Sequence, residues 1–186
     1  MDETQTKAKP VSFSRTTITE LMIPAYANFG GKIHGGILLS LMDKVAYATA
    51  TKHCGAYCVT VSVDNVDFLE PVEVGELVSL KASLNYVGNS SMVVGIKVIS
   101  ENVKTSVVKH TNTSYFTMVA KGEDDRPAQV PILILENETD VRRFVESIFR
   151  KQYKKDYREN MEEAKAHWEE QNIKNLLKNE RCIQQF

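Results

Sequence analysis

Apolar residues recur along this chain with two different periods, and the change between them divides it into parts. From 33 to about 53 the period is helical: Ile33, Ile37, Leu41 and Val45 form one stripe, with Leu38, Met42 and Ala46 beside it. Leu39 and Ala48 widen the apolar surface until little is left to face water, which predicts a buried, central helix. Beyond it the period becomes two, and residues 58–68, 77–87, 90–100 and 105–120 read as strands. Val78, Leu80, Ala82, Leu84 and Tyr86 share one face, as do Met92, Val94, Ile96 and Val98, and Gly88-Asn89 between them signals a hairpin. In the first run the apolar parity moves from Val59, Val61 and Val63 to Val66 and Phe68, so a β-bulge is expected at Asp64-Asn65.

Residues 1–10 are polar and read as a disordered lead-in. Residues 11–23 suit an edge strand stopped by Pro24, and Asn28-Phe29-Gly30-Gly31 reads as a turn. One buried helix followed by four mostly antiparallel strands predicts an α+β domain over residues 11–135. Residues 136–186 are charged, with Val141, Phe144, Val145, Ile148 and Phe149 at helical spacing. Past Tyr153 the apolar residues thin to Trp168 and the cluster Ile173, Leu176 and Leu177. This C-terminal helical extension is expected as one or two helices, packed on the domain or on a neighbouring subunit.

Composition narrows the function. The 186 residues are 42% hydrophobic and 25% charged with a formal net charge of −1, which gives no reason to expect nucleic acid or an anionic membrane as partner. No apolar run reaches the roughly 18 residues of a membrane span, and the polar start is neither signal peptide nor anchor. Cys54, Cys58 and Cys182 are too few for a disulfide framework. Cys54 and Cys58 could be half a metal site, but without a second Cys/His pair two ordinary thiols are the simpler reading. No metal site and a reducing cytoplasm are expected.

Three features could carry chemistry. Gly35 and Gly36 leave the first-turn amides of the helix unshielded, so together with the helix dipole they could polarise an acyl carbonyl; close packing of a strand on the helix would use glycines equally well. Asp43, on the same side of the helix about 10 Å further on, is costly in a buried apolar element unless it is paired or functional. It could pair with Lys44 at a subunit contact, or act as general base or nucleophile. His34, at the helix start, has no Ser or Cys fixed beside it and suits substrate positioning better than base catalysis. The sequence contains no G-x-S-x-G elbow, glycine-rich phosphate loop or H-E-x-x-H motif, which leaves a cofactor-free reaction.

The run Asn28-Phe29-Gly30-Gly31-Lys32-Ile33-His34-Gly35-Gly36-Ile37-Leu38-Leu39-Ser40-Leu41-Met42-Asp43 resembles the hotdog-fold acyl-CoA thioesterases, in particular the YciA-like and brain-type cytosolic acyl-CoA hydrolases. Thr60-Val61-Ser62-Val63-Asp64 with Phe68 and Pro71, Gly75-Glu76, residues 87–92, residues 115–120, Pro127 and Pro131 match as well, and the likeness spans roughly 18–131. The resemblance implies an antiparallel sheet wrapped round a long central helix, with two domains pairing into one continuous sheet. It implies hydrolysis of acyl-CoA to free fatty acid and CoA without metal or cofactor. It assigns catalysis to Asn28 and Asp43 from opposite protomers, with Gly35 and Gly36 on the Asp43 protomer at the thioester carbonyl. It also places CoA along Asn89, Ser90, Ser91, Thr117 and Lys121, and implies a homodimer assembled as a trimer of dimers.

Two other readings compete. A hotdog acyl-CoA sensor would not need Asp43 and would bring a DNA-binding module, for which residues 1–17 are too short. A hotdog dehydratase needs a paired His and acid, and His34 and Asp43 lie two turns apart.

Overall fold

The computed structural model describes residues 8–167, 176–183 and 185. Strand β1 (Ala8–Pro10) leads into a short helix, α1 (Val11–Ser14), and strand β2 (Thr16–Leu21). A turn of 3-10 helix at Pro24–Tyr26 precedes α2 (Gly35–Cys54). Strands β3 (Tyr57–Val63), β4 (Leu77–Val87), β5 (Ser91–Asn102), β6 (Val107–Lys121) and β7 (Ile132–Ile134) follow, and the long helix α3 (Glu138–Ala166) comes after them.

Five strands form one antiparallel sheet in the order β2-β4-β5-β6-β3, and α2 packs on one face of it. The period-two pattern explains that face. Val78, Leu80 and Leu84 of β4, Met92, Val94 and Ile96 of β5, and Phe116 and Met118 of β6 are all buried against Leu38, Leu41, Met42, Val45, Ala46 and Ala50 of α2. Each large aliphatic side chain so buried contributes about 1.5–3 kcal/mol. Gly88–Ser90 turn the β4–β5 hairpin where it was expected, with the Gly88 N–H bonded to Ser91 O at 2.7 Å.

Four expectations need correction. The predicted disordered lead-in is a strand from Ala8 to Pro10, paired in parallel with Ile132–Ile134; residues 1–7 lie outside the described residues. The single strand expected at 11–23 is split by α1, because Ser12 N–H and Oγ both bond the Glu136 carboxylate, at 2.6 and 2.8 Å, and Val11 is buried. The bulge lies at Thr60/Ser62 rather than 64–65: Thr60 pairs with Met118 and Ser62 with Thr117, so Val61 is the extra residue. The strand ends at Val63, and beyond it Asp64 and Leu69 keep backbone bonds to β6. Finally, α2 is not covered all round. Leu39, Asp43, Lys44 and Tyr47 are exposed, since a single sheet covers only one side of a helix.

One compact unit runs to Ser147, past the boundary expected at 135. Asn137 and Asp140 cap α3 reciprocally: Asn137 Oδ1 accepts the Asp140 N–H, and Asn137 Nδ2 donates to Asp140 Oδ2, both at 3.0 Å. Arg15 pairs with the buried Asp140 at 3.3 Å, and Phe144 meets Tyr86 with ring centroids 5.0 Å apart. The second unit, Ile148–Phe186, contains the rest of α3, on which Phe149, Tyr153, Tyr157 and Met161 are exposed at i, i+4 spacing. Trp168 and Ile173 of the expected tail cluster lie outside the described residues.

Glu76 is a second buried carboxylate of this domain, at 2% exposure. Burial opposes its ionised form, but the Glu73 N–H at 3.1 Å and the Lys109 ammonium at 3.0 Å help to outweigh it and hold its carboxyl below the ordinary value of 4.5. A lowered folded-state pKa means that stability is fully present above the unfolded value and is lost as pH falls through the folded one. Glu76→Gln is therefore expected to lower Tm at neutral pH and to flatten the fall of Tm on acidification, in melts followed by circular dichroism. Ending the chain after Ser147 should keep the cooperative melt of the first unit. Ending it after Glu136 removes the Asp140 cap and the Phe144 contact and should cost at least about 2 kcal/mol in a urea titration.

Candidate active site

The start of α2 is fixed by backbone bonds on either side of it. Ile33 N–H donates to Val72 O and His34 N–H to Tyr26 O, both at 2.9 Å, which holds His34 extended at φ −66°, ψ 128°. From there the His34 Nδ1 accepts the Gly36 N–H at 2.8 Å and caps the helix. A Cβ on residue 36 would come within 2.9 Å of the His34 ring, so the cap requires glycine there. His34 thus has a helix-capping bond where substrate positioning was expected, and the Gly36 amide is taken rather than free for a carbonyl. The Gly35 N–H has no protein partner among the described residues. A Cβ on Gly35 would lie 3.2 Å from the Phe68 ring, so this glycine serves close packing as well.

Asn28 opens the preceding turn. Its N–H donates to Lys32 O at 2.7 Å, and its Oδ1 accepts the N–H groups of Gly30 and Lys32 at 2.9 and 3.2 Å. Gly31 supplies the left-handed φ of 77° that closes the turn. With Oδ1 satisfied twice, the Asn28 Nδ2 amide is left to donate outward. It faces a recess of about 730 Å³ shared with Phe29, His34 and Gly35.

Asp43 stands on the uncovered side of α2, where Thr60 Oγ1 donates to its Oδ1 at 2.6 Å. Thr60 is brought there by the β3 bulge. It belongs to the matched segment 60–64, yet nothing in the sequence marked it as a partner of Asp43, which lies on another element. The pair borders a recess of about 360 Å³ with Lys44, Tyr47, Tyr57 and Cys58. Tyr47 and Tyr57 wall it, their ring centroids 6.2 Å apart.

Asn28 and Asp43 of one chain therefore line different recesses, and Gly35 lies with Asn28. Eight helical steps from Gly35 to Asp43 separate them by ~12 Å. No single thioester carbonyl can meet both within ~3 Å. Within one chain Gly35 thus lies beside Asn28, whereas the glycines were expected at the thioester carbonyl with Asp43.

The residues expected to hold CoA are only partly gathered. Ser90 O accepts the Ala120 N–H at 2.9 Å, so the turn at Asn89, Ser90 and Ser91 meets the end of β6 next to Lys121. Lys121 Nζ is engaged by Asp125, bonding its carbonyl at 2.8 Å and lying 3.4 Å from its carboxylate. Thr117 pairs across the sheet with Val93 and Ser62. None of the five borders the Asn28 or Asp43 recess, and Asn89 lines another, of about 320 Å³, with Gln129 and Phe144.

Among known proteins, the Thioesterase superfamily is the family whose model matches, over residues 30–107. Protein VdlD of Helicobacter pylori is 45% identical over 139 residues, which are 75% of this chain and 79% of that protein. An apo-hexameric acyl-CoA thioesterase is similar in structure, with a TM-score of 0.79 and 35% identity over 81% of this chain and 97% of that one. An acyl-CoA hydrolase from Staphylococcus aureus, solved with butyryl-CoA, CoA and CoA disulfide, gives a TM-score of 0.77 at 28% identity, over 87% and 98% of the two chains. That hydrolase has also been solved, in its own numbering, as Asp43→Ala, Asn28→Ala and Thr60→Ala variants.

Breaking the cap tests the local geometry. His34→Ala is expected to destabilise by about 1 kcal/mol. Gly36→Ala displaces the same ring, so the double variant should cost clearly less than the sum of the two singles in urea melts.

Proposed function

This chain belongs to the Thioesterase superfamily, whose curled antiparallel sheet and long helix are the hotdog fold, and from that premise we propose that it hydrolyses acyl-CoA to a free fatty acid and CoA at a site shared by two copies. The observation that carries the reading is the split within one chain. Asp43, set by Thr60, lies in one recess, while the unspent donors of Asn28 and Gly35 lie in another. A second copy related by a two-fold axis would bring each half to the other twice over.

In the assembled site Thr60 occupies Asp43 Oδ1 and leaves Oδ2 toward the thioester. Asp43 takes a proton from the water that attacks the carbonyl carbon, or attacks that carbon itself and forms a mixed anhydride that water then hydrolyses to the free acid. The Gly35 N–H, at the positive end of the α2 dipole, stabilises the oxyanion from the opposite protomer. Asn28 Nδ2 orients the attacking group. The C–S bond breaks, and the CoA thiolate leaves and is protonated. A thioester lacks amide-type resonance, so positioning and oxyanion stabilisation suffice, with neither metal nor cofactor in the proposed reaction.

The uncovered surface supports the pairing. Tyr57, Val61 and Val63 of the edge strand β3 are exposed, as are Leu39 and Tyr47 of α2 and Phe29. An open strand edge beside an apolar helix flank is a surface that proteins cover. We assign the homodimer to this edge, and a trimer of dimers to the full assembly. Asn89, Ser90, Ser91 and Thr117 would line the path of CoA, with Lys121 exchanging Asp125 for a phosphate. No described helix is long and apolar enough to cross a membrane. We place the protein in the cytoplasm.

Asp43→Ala is expected to abolish thiol release from acyl-CoA while the melt stays cooperative, and full activity would sink the mechanism. Thr60→Val should lower kcat by about ten- to a hundredfold with little change in KM. Complementation tests the shared site. Asn28→Ala and Asp43→Ala proteins, mixed and allowed to exchange subunits, should recover about a quarter of the wild-type rate, because each mixed dimer contains one intact site. No recovery, with exchange verified by mass, would place both residues in one protomer's site.

A further inference from the structure

Two cysteines that the proposed hydrolysis does not use are held against each other. α2 ends at Cys54, Gly55 turns the chain with a left-handed φ of 74°, and β3 returns with Cys58 so that the two Sγ atoms lie 3.2 Å apart. The same turn aims the Ala56 N–H at Cys54 Sγ, at 3.4 Å. Lys9, drawn to this corner by β1, bonds the His53 carbonyl and places an ammonium nearby.

The two sulfurs are not equivalent. The hydrogen bond from Cys58, the Ala56 N–H and the Lys9 charge bring the Cys54 thiol down to about 6, against the effect of its partial burial. Cys58 is 2% exposed, and its neighbour Cys54 together with burial pushes its thiol up. One sulfur is reachable and nucleophilic, and the other is buried in contact with it. That is the order of an attacking and a resolving thiol.

We propose that Cys54 and Cys58 form a redox-active dithiol site that exchanges with the disulfides of small thiols. The Cys54 thiolate attacks one sulfur of the disulfide, its S–S bond breaks, and the displaced thiolate leaves and takes up a proton. Cys58 gives its proton to solvent and attacks Cys54 Sγ in the mixed disulfide, and the second small thiol leaves. The protein dithiol is oxidised to a disulfide, and one small disulfide is reduced to two thiols. Closing the bond shortens the 3.2 Å contact to about 2.05 Å and draws the start of β3 toward α2. Cys58 also borders the recess of Asp43, two positions before Thr60. On the hydrolase reading, on which this last step rests, oxidation slows turnover by disturbing the Thr60–Asp43 bond.

The test uses the full chain with the exposed Cys182 replaced (Cys182→Ser), reduced and then exposed to glutathione disulfide. Intact mass and peptide mapping are expected to show a Cys54–Cys58 disulfide with no glutathione retained. Adding Cys58→Ser should arrest the reaction as glutathionylated Cys54. Adding Cys54→Ser should leave Cys58 reacting about tenfold more slowly or less. Glutathione retained on the intact pair, or equal rates for the two single variants, would overturn the site. Acyl-CoA hydrolysis by the oxidised protein should fall several-fold and return with dithiothreitol; an unchanged rate overturns the coupling to Asp43. A reduced protein that hydrolyses nothing would count against the hydrolase reading instead, and the thiol mapping would still decide the dithiol.

Discussion

α2 meets the sheet through Leu38, Met42, Val45, Ala46 and Ala50, and the same helix turns Leu39, Asp43 and Tyr47 the other way. A helix with more than one apolar side needs more than one covering layer, and a single antiparallel sheet supplies one. The rest of the architecture follows from that shortfall. The sheet stops at β3 with an open edge, the apolar flank of α2 lies next to it, and the only ordered carboxylate–hydroxyl pair on that flank is Asp43 with Thr60 among the described residues. A second copy covers the flank and completes the proposed chemistry in one step.

The site residues share a division of labour at the level of atoms. Asn28 gives Oδ1 to its own turn and keeps Nδ2. Of two adjacent glycines, Gly36 gives its amide to the His34 cap and Gly35 keeps its own. Asp43 gives Oδ1 to Thr60. In each case one polar atom is held by the fold, which fixes the direction of the other. Preorganisation of this kind is what electrostatic catalysis needs, because no dipole has to reorient during the reaction.

Much of this was legible in the sequence, and the parts that were not share a cause. Helical and period-two patterns report which face of an element is apolar, so α2, the β4–β5 hairpin and the core positions could be read directly. They do not report how many layers exist to cover a helix, so Asp43 was expected to be buried and is exposed. α1 escaped because it is set by the bond from Ser12 to Glu136, 124 residues away. Thr60 escaped because its role depends on a bulge one residue wide, and the parity change at 64–65 that hinted at one marked the place where the strand leaves the ladder. The glycine pair opens α2, and its neighbours in space were not legible: Gly35 lies by Asn28 because the bonds between Tyr26 and His34 fold the preceding turn back beside the helix start.

The pairing of β1 with β7, the bonds from Ser12 to Glu136 and the contact of Arg15 with Asp140 tie the first described residues to the start of α3. Ser12 and Glu136 are 124 positions apart, and such contacts can form only after everything between them exists. As the chain is made, β1 has to wait, unpaired, until residues 132–134 are available to it. The central helix and hairpin can form meanwhile, with the β3 edge bare. Closure of the domain is therefore a late event in its folding, and the interval before it is when the open β3 edge is exposed to other chains.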